Sequence, residues 1–485
     1  MTGALASIVG GRERRAEETF ELRSPASGEL LANVERASPE IVDAAVESAR
    51  ERFASTRWAG LRERVGWCER TAALIDERAE ALAAELAEEQ GKPLHEAVAE
   101  VAAGARGFRL AAEAARGLDG YSPPVEDAAK RVVVIRQPRG VWAVLTPWNF
   151  PFNIPIEYVG PAVATGSPVI WKPAPTCSRI AARLVALLGE AGVPPGLVNL
   201  VLTDEISVAQ HLVTHHGVEA VGLTGGSRTG EAVARAAWDK HLLLELGGNG
   251  PVIVLDDADM ERASAAVAAS AFTNAGQVCS AAGRVLVDER AADALADGLA
   301  EVAGGIVLGP PAGDGVTMGP VHTEAVAATM DRHITDALDH GATIRAGGRR
   351  AKGYPTRLYY EPTVIDGVPV RADVAAEETF GPIAPLIRLS SDDELLETAN
   401  ASEHGLVSAV FTQSLRRAWY FAERLETGTV VVNDTSNYWE LNLPFGGRAG
   451  RASGRGRLGG RHTLEEFTQP KTISFDVRGP FVGPN

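Results

Sequence analysis

Cysteine, basic charge and long apolar runs are all scarce in this sequence. Three cysteines in 485 residues, Cys68, Cys177 and Cys279, cannot build a disulfide framework, which points to a reducing, cytoplasmic setting. No apolar run approaches the ~20 residues that span a bilayer. The opening residues, MTGALASIVGGRERR, hold no apolar segment long enough for a signal peptide. Lysine and arginine number 47 against 63 aspartates and glutamates, a formal charge of −16. Phosphates would be repelled, so neither a nucleic acid nor an anionic membrane is expected as a partner. No GxxxxGK-S/T phosphate loop and no internal repeat occurs.

What is present is an ordinary globular composition, 45% hydrophobic and 23% charged, which rules out wholesale disorder. The length exceeds what one core supports, roughly 250–300 residues, so two large domains are expected. Residues 38–118 are rich in Ala, Glu and Arg with apolar residues three and four apart, and read as amphipathic helices. RVVVIRQPRG, at 131–140, reads as a strand and turn. From residue 140 strands and helices alternate: GVWAVLT, IEYVGPAVATG, PVIWKP, a helix at 178–192 capped by Ser178, LVNLVL, a helix through Gln210, AVGLTGG, then TGEAVARAAW. That rhythm implies an α/β fold with a parallel sheet covered on both faces, of the dinucleotide-binding type. A second α/β series begins near PVIVLDDAD at 251–259, and TQPKTISFDV at 468–477 is a last strand without a nearby partner.

Five elements carry candidate chemistry. Cys279, in NAGQVCSAAGR, sits among small residues that let a substrate approach a thiol; it is either a buried structural cysteine or a nucleophile. Glu245 interrupts the apolar run LLLELGGNG; it is a solvated strand end or a general base in a dry site, and Gly247-Gly248 supply an unusual turn and close approach. Asn149, in LTPWNFPFNIP, is a turn former or a rigid amide able to hold an oxyanion. The turn LTGGSRTG opens a helix whose N–H groups can receive phosphate, although it is not a GxGxxG fingerprint. Glu378, in EETFGP, is a turn residue or a ribose partner. His211 and His215 share a helical face in QHLVTHHG but have no visible third ligand, so no metal is expected. The Arg/Gly-rich patch at 446–461 resembles a nucleic-acid segment in composition only.

Taken together, PWNFP at 147–151, WKPA at 171–174, LTGGSRTG at 223–230, ELGG at 245–248, GQVCS at 276–280, ETFGP at 378–382 and LPFGG at 443–447 resemble the aldehyde dehydrogenase superfamily, NAD(P)-dependent and non-acylating, across nearly the whole chain. The resemblance implies a Rossmann-like cofactor-binding domain (1–118 and 139–247), an α/β catalytic domain (248–465) and a small β oligomerisation flap (119–138 and 466–485) that makes a homodimer or homotetramer. It implies Cys279 as nucleophile, Glu245 as the base that activates water, and Asn149 with the Cys279 N–H as oxyanion donors. Trp148, Lys172, Gly225, Gly226, Glu378 and Phe380 would meet NAD or NADP. Pro175 stands where NAD-preferring relatives often carry Glu, which leaves NADP open, with Lys172 and Arg228 as phosphate partners. Asn249 and Gly226 replace the usual Lys and Ser. The positions resembling pocket walls are Ile154, Glu157, Tyr158, Val278, Ser280, Tyr438, Trp439 and Phe445. They suit a medium-sized or aromatic aldehyde, and argue against a phosphorylated or dicarboxylic semialdehyde. Glu157 either bonds a substrate hydroxyl, attracts an amino group or points away. The rival readings are a coenzyme A-acylating enzyme, which Glu245 opposes, and a non-catalytic cofactor-binding protein on the same fold.

Overall fold

Apolar residues alternate faces along the strand Trp142–Leu145, and that alternation sets the first layer of the fold. Trp142 and Val144 join one buried cluster, Ala143 and Leu145 another on the opposite face. The computed structural model describes residues 4–478. In it the strands His241–Glu245, Ala220–Thr224, Trp142–Leu145, Val169–Lys172 and Val198–Leu200 run parallel, in that spatial order. The chain reverses direction across the sheet at Trp142–Leu145, so a crevice opens at the strands' carboxyl ends. Antiparallel strands complete the sheet to eight: Ser7–Val9 and Arg12–Arg14 on one edge, Gly454–Arg455 on the other. The N-terminal strands were not anticipated, because three exposed residues such as Arg12–Arg14 carry no alternation to read.

The helices Pro39–Thr56, Leu61–Glu77, Ala79–Gln90 and Leu94–Arg116 occupy the region expected to be helical. Ser178 does not cap the next helix; it is the first residue of Ser178–Glu190 and its hydroxyl donates to the Pro175 carbonyl.

A second sheet of seven strands has the order Thr343–Ala346, Thr363–Asp366, Ile383–Leu389, Arg284–Asp288, Pro251–Val254, Val407–Phe411, Thr429–Val432, parallel except at Thr343–Ala346. The last strand does find a partner: Thr468–Asp476 pairs antiparallel with Lys130–Pro138 along its whole length, Thr468 opposite Pro138 and Asp476 opposite Lys130. Residues 479–485, part of the expected flap, lie outside the described residues. Among the described residues no helix is long and apolar enough to cross a membrane.

Candidate active site

Residues that follow the first sheet's carboxyl ends meet residues that precede strands of the second. Trp148 and Asn149 follow Trp142–Leu145, Lys172 ends Val169–Lys172, Gly225 and Gly226 follow Ala220–Thr224, and Glu245 ends His241–Glu245. From the other side come Cys279, ahead of Arg284–Asp288, and Glu378 with Phe380, ahead of Ile383–Leu389.

A cavity of about 300 Å³ brings Asn149, Glu245 and Cys279 together. Ile154, Glu157, Val278, Ser280, Trp439 and Phe445 line it as expected positions, joined by Phe150, Asn153, Thr224, Thr273, Asn437 and Leu458. Two expected wall residues do not reach it. Tyr158 is fully buried beneath the sheet, its hydroxyl 2.8 Å from Thr224 Oγ1 and its ring against Gly222. One residue along a helix turns a side chain by about 100°, so Glu157 takes the cavity side and Tyr158 the core. Tyr438 is exposed and donates to Glu440.

Burial governs the electrostatics here. Glu245 is 3% exposed, with Oε1 sealed from solvent and unpaired. Desolvation pushes its pKa up to about 8, against a lowering contact with the Cys279 thiol. The thiol is itself raised well above the ordinary range, first by burial and then by Glu245, Glu378 and Glu157. Glu157 is likewise raised, by burial and then by Glu245. Cys279 and Glu157 are each partly accessible, but both open into the cavity, so they titrate as buried groups. Asn149 Nδ2 donates to the Gln277 carbonyl at 3.0 Å. A primary amide has a second N–H, and that one is left over. The Cys279 backbone N–H also makes no hydrogen bond among the described residues. Two free donors therefore stand beside the thiol, the requirement for holding an oxyanion.

The segment before the thiol is strained. Asn274, Ala275 and Gly276 have φ of 52°, 54° and 70°, three left-handed residues in succession. At Gly276 a Cβ would fall 2.1 Å from the Gly381 carbonyl oxygen, so only glycine fits. Gly247-Gly248 does not form the unusual turn expected, since neither glycine has positive φ; their role is close approach. A Cβ on Gly248 would lie 2.1 Å from the Cys279 carbonyl oxygen.

Sequence reasoning missed the supports of this segment. Gln277 is fully buried, accepts at Oε1 from the His322 N–H at 2.7 Å and donates to the Asn274 carbonyl at 2.8 Å. Lys92 and Glu100 form a buried ion pair at 2.6 Å. Lys92 Nζ also donates to the Asn149 carbonyl at 2.9 Å, and Glu100 Oε1 accepts from the N–H groups of Phe152 and Asn153. In sequence the pair reads as helix-surface charge; only its long-range packing on 149–153 reveals it.

The remaining predicted residues fit a dinucleotide. Lys172 forms no salt bridge among the described residues, and burial lowers its pKa to about 8 against the more distant charge of Asp204, which raises it. Glu378 accepts from the Gly248 N–H at 3.0 Å and is raised by burial to about 7. Trp148 stacks on His322 at 4.6 Å and meets the edge of Phe380 at 5.6 Å. Phe380 has φ of 57°, a strained backbone that holds its ring there. Gly226 caps the helix Ser227–Ala236 with open space above it. An unpaired cation, an acceptor, aromatic walls and a helix N-terminus at one crevice suit pyrophosphate, riboses and a flat ring.

The His211–His215 pair does have a third neighbour, Asp43, from a helix distant in sequence. His211 Nε2 and Asp43 Oδ1 are 2.6 Å apart. That is a hydrogen bond, shorter than the ~3.3 Å between two ligands of a tetrahedral ion with bonds of about 2.0 Å.

The sequence model of the aldehyde dehydrogenase family matches residues 12–473. The chain is similar to 3-sulfolactaldehyde dehydrogenase of Pseudomonas putida, 38% identical over 94% of this chain and 93% of the relative. It is 36% identical to mitochondrial succinate-semialdehyde dehydrogenase of Arabidopsis thaliana, over 96% and 88%. The crystal structure of succinate-semialdehyde dehydrogenase from Burkholderia pseudomallei superposes with a TM-score of 0.95 at 37% identity, covering 98% of each chain.

Proposed function

The chain belongs to the aldehyde dehydrogenase family and is an NAD(P)-dependent enzyme that oxidises an aldehyde; from this premise we propose that Cys279 forms a thioester with the substrate, and that water activated by Glu245 hydrolyses it to the carboxylic acid. The observation that carries the reading is the convergence of Cys279, Glu245 and Asn149 on one cavity.

The Cys279 thiol gives up its proton to water in the cavity, and its sulfur adds to the aldehyde carbon, leaving the neighbouring Glu245 carboxylate free for the later step. The carbonyl oxygen becomes an oxyanion held by the spare Asn149 N–H and the Cys279 N–H. An aldehyde carbon has no leaving group, so this tetrahedral adduct is what makes loss of hydride favourable. The bound nicotinamide supplies the hydride acceptor. With the thioester formed, Glu245 takes a proton from water as the hydroxyl attacks, then returns it to the departing Cys279 sulfur, which restores both thiol and carboxylate. The acid therefore gains its oxygen from water.

Lys172 and Glu378 would grip the cofactor's riboses, with Trp148, Phe380, Gly225 and Gly226 around the nicotinamide and pyrophosphate. Lys172 forms no salt bridge among the described residues and Pro175 supplies no carboxylate, which supports use of NADP as well as NAD. We assign cofactor binding to 1–118 and 139–247 and catalysis to 248–465. The two-stranded antiparallel ribbon of Lys130–Pro138 with Thr468–Asp476 exposes Ile135 and Phe475, which supports a flap that pairs with a second copy in a homodimer or homotetramer. The apolar wall of Ile154, Val278, Trp439 and Phe445 supports a medium-sized or aromatic aldehyde.

An aldehyde panel assayed with NAD and with NADP, following the reduced cofactor, tests the reading. Acid is expected as product whether or not coenzyme A is added. Formation of a coenzyme A thioester, or no reduction with any aldehyde, would overturn it.

A further inference from the structure

The cavity holds one carboxyl that the chemistry above leaves unused. Glu157 stands in its wall on the helix Asn153–Thr165. Its Oε1 accepts from Asn153 Nδ2 at 3.1 Å, and its other oxygen has no protein partner among the described residues. That oxygen opens into the cavity, where a ligand's donor can complete it. Nothing in the protein does so. Ile154, Val278, Phe445 and Leu458 offer carbon only, Trp439 adds one neutral indole N–H without a partner, and no Lys, Arg or His lines the cavity. Glu245, the second carboxyl, is near enough to disfavour the charged form of Glu157 further, and no cation is near enough to offset either.

We infer that Glu157 determines the substrate class: an aldehyde whose far end carries a hydrogen-bond donor, a hydroxyl or an amine, and not a carboxylate, sulfonate or phosphate. The inference rests on Cys279 being the nucleophile, because that fixes which end of the substrate lies at Glu157. An anionic tail would put a third acidic group into a cavity with two carboxyls and no counter-charge. A donor tail closes the open acceptor of Glu157, and the carbon frame between covers the apolar wall. Ionised or protonated, the carboxyl keeps an acceptor lone pair for it.

Three aldehydes of one frame separate these terms: 4-(hydroxymethyl)benzaldehyde, 4-methylbenzaldehyde and 4-formylbenzoate. In kcat/KM the hydroxymethyl compound is expected to lead the methyl compound by roughly tenfold, and the formylbenzoate by roughly a hundredfold or more. In Glu157→Leu the hydroxymethyl-to-methyl ratio falls to about one, whereas Glu157→Gln, which still accepts, keeps most of it and admits the formylbenzoate better. Equal or faster oxidation of the formylbenzoate by the unaltered protein, or an unchanged ratio in Glu157→Leu, overturns the inference. Calorimetry of the same three aldehydes on the Cys279→Ala protein ranks their binding without turnover. If that order holds and no aldehyde is oxidised by the unaltered protein, the Cys279 reading fails and the specificity stands; if the three bind alike, the specificity falls.

Discussion

Replacing Lys92 with Met removes a cation that three parts of the site share. Its ammonium pairs with Glu100 at 2.6 Å, donates to the Asn149 carbonyl at 2.9 Å and sits 4.1 Å from the centre of the Phe150 ring, with neither partner of the ion pair exposed. Met fills a similar volume, so the loss is electrostatic. Breaking one side of a buried pair strands the other charge and costs about 3–5 kcal/mol. Glu100 still accepts from the Phe152 and Asn153 N–H groups, which places the expected loss at the lower end, about 3 kcal/mol. The double variant Lys92→Met/Glu100→Gln keeps those acceptors without a stranded charge, and should recover at least about 1 kcal/mol of it. Catalysis should suffer separately, because the Asn149 carbonyl loses its ammonium and the oxyanion donor loosens; a fall in kcat of roughly 10- to 100-fold is expected. Urea unfolding and steady-state kinetics on the same preparations measure both. A loss below about 1 kcal/mol with kcat unchanged would refute the claim that this pair holds the Asn149 loop.

Other outcomes follow from the same geometry. Glu245 has its carboxyl pKa raised from 4.5 to about 8, so the folded protein binds that proton more tightly than the unfolded chain does. Stability is then greatest at low pH for this group and is lost as pH climbs from about 4.5 to 8, by up to roughly 5 kcal/mol at about 1.4 kcal/mol per unit. Glu245→Gln should accordingly raise the melting temperature at pH 9 and not at pH 4, while acid formation by the unaltered protein rises through pH 8 as the base ionises; a flat profile would contradict both. Gly248→Ala forces a Cβ to 2.1 Å from the Cys279 carbonyl oxygen, so the thiol must shift, and kcat should fall by roughly a hundredfold while the protein still folds. Under the proposed pairing with a second copy, Phe475→Asp places charge on the exposed strand Thr468–Asp476, and sedimentation should show a smaller species than for the unaltered protein.

Much of the layout was legible from the sequence because the first sheet is buried on both faces. VWAVL, VIWK and AVGLT are continuous apolar runs with one possible fate. The strands Ser7–Val9 and Arg12–Arg14 were not, since edge strands of three residues carry no pattern. Cys279, Glu245 and Asn149 were each ambiguous alone and became legible only as a set of motifs in order. Side-chain direction was the weakest inference: Tyr158 and Tyr438 neighbour residues that line the cavity, Glu157 and Trp439, but turn to the core and to solvent. The Lys92–Glu100 pair and the left-handed run at Asn274–Ala275 were invisible, because each depends on segments that meet only in the folded chain.

The account stands on a covalent bond at one sulfur. Glu245→Gln protein mixed with an aldehyde and NAD(P)+, quenched in acid within its first turnover and digested, should yield the Cys279 peptide heavier by the acyl group, with one reduced cofactor per site. An unmodified Cys279 peptide after that burst, or full turnover by Cys279→Ala, would contradict it.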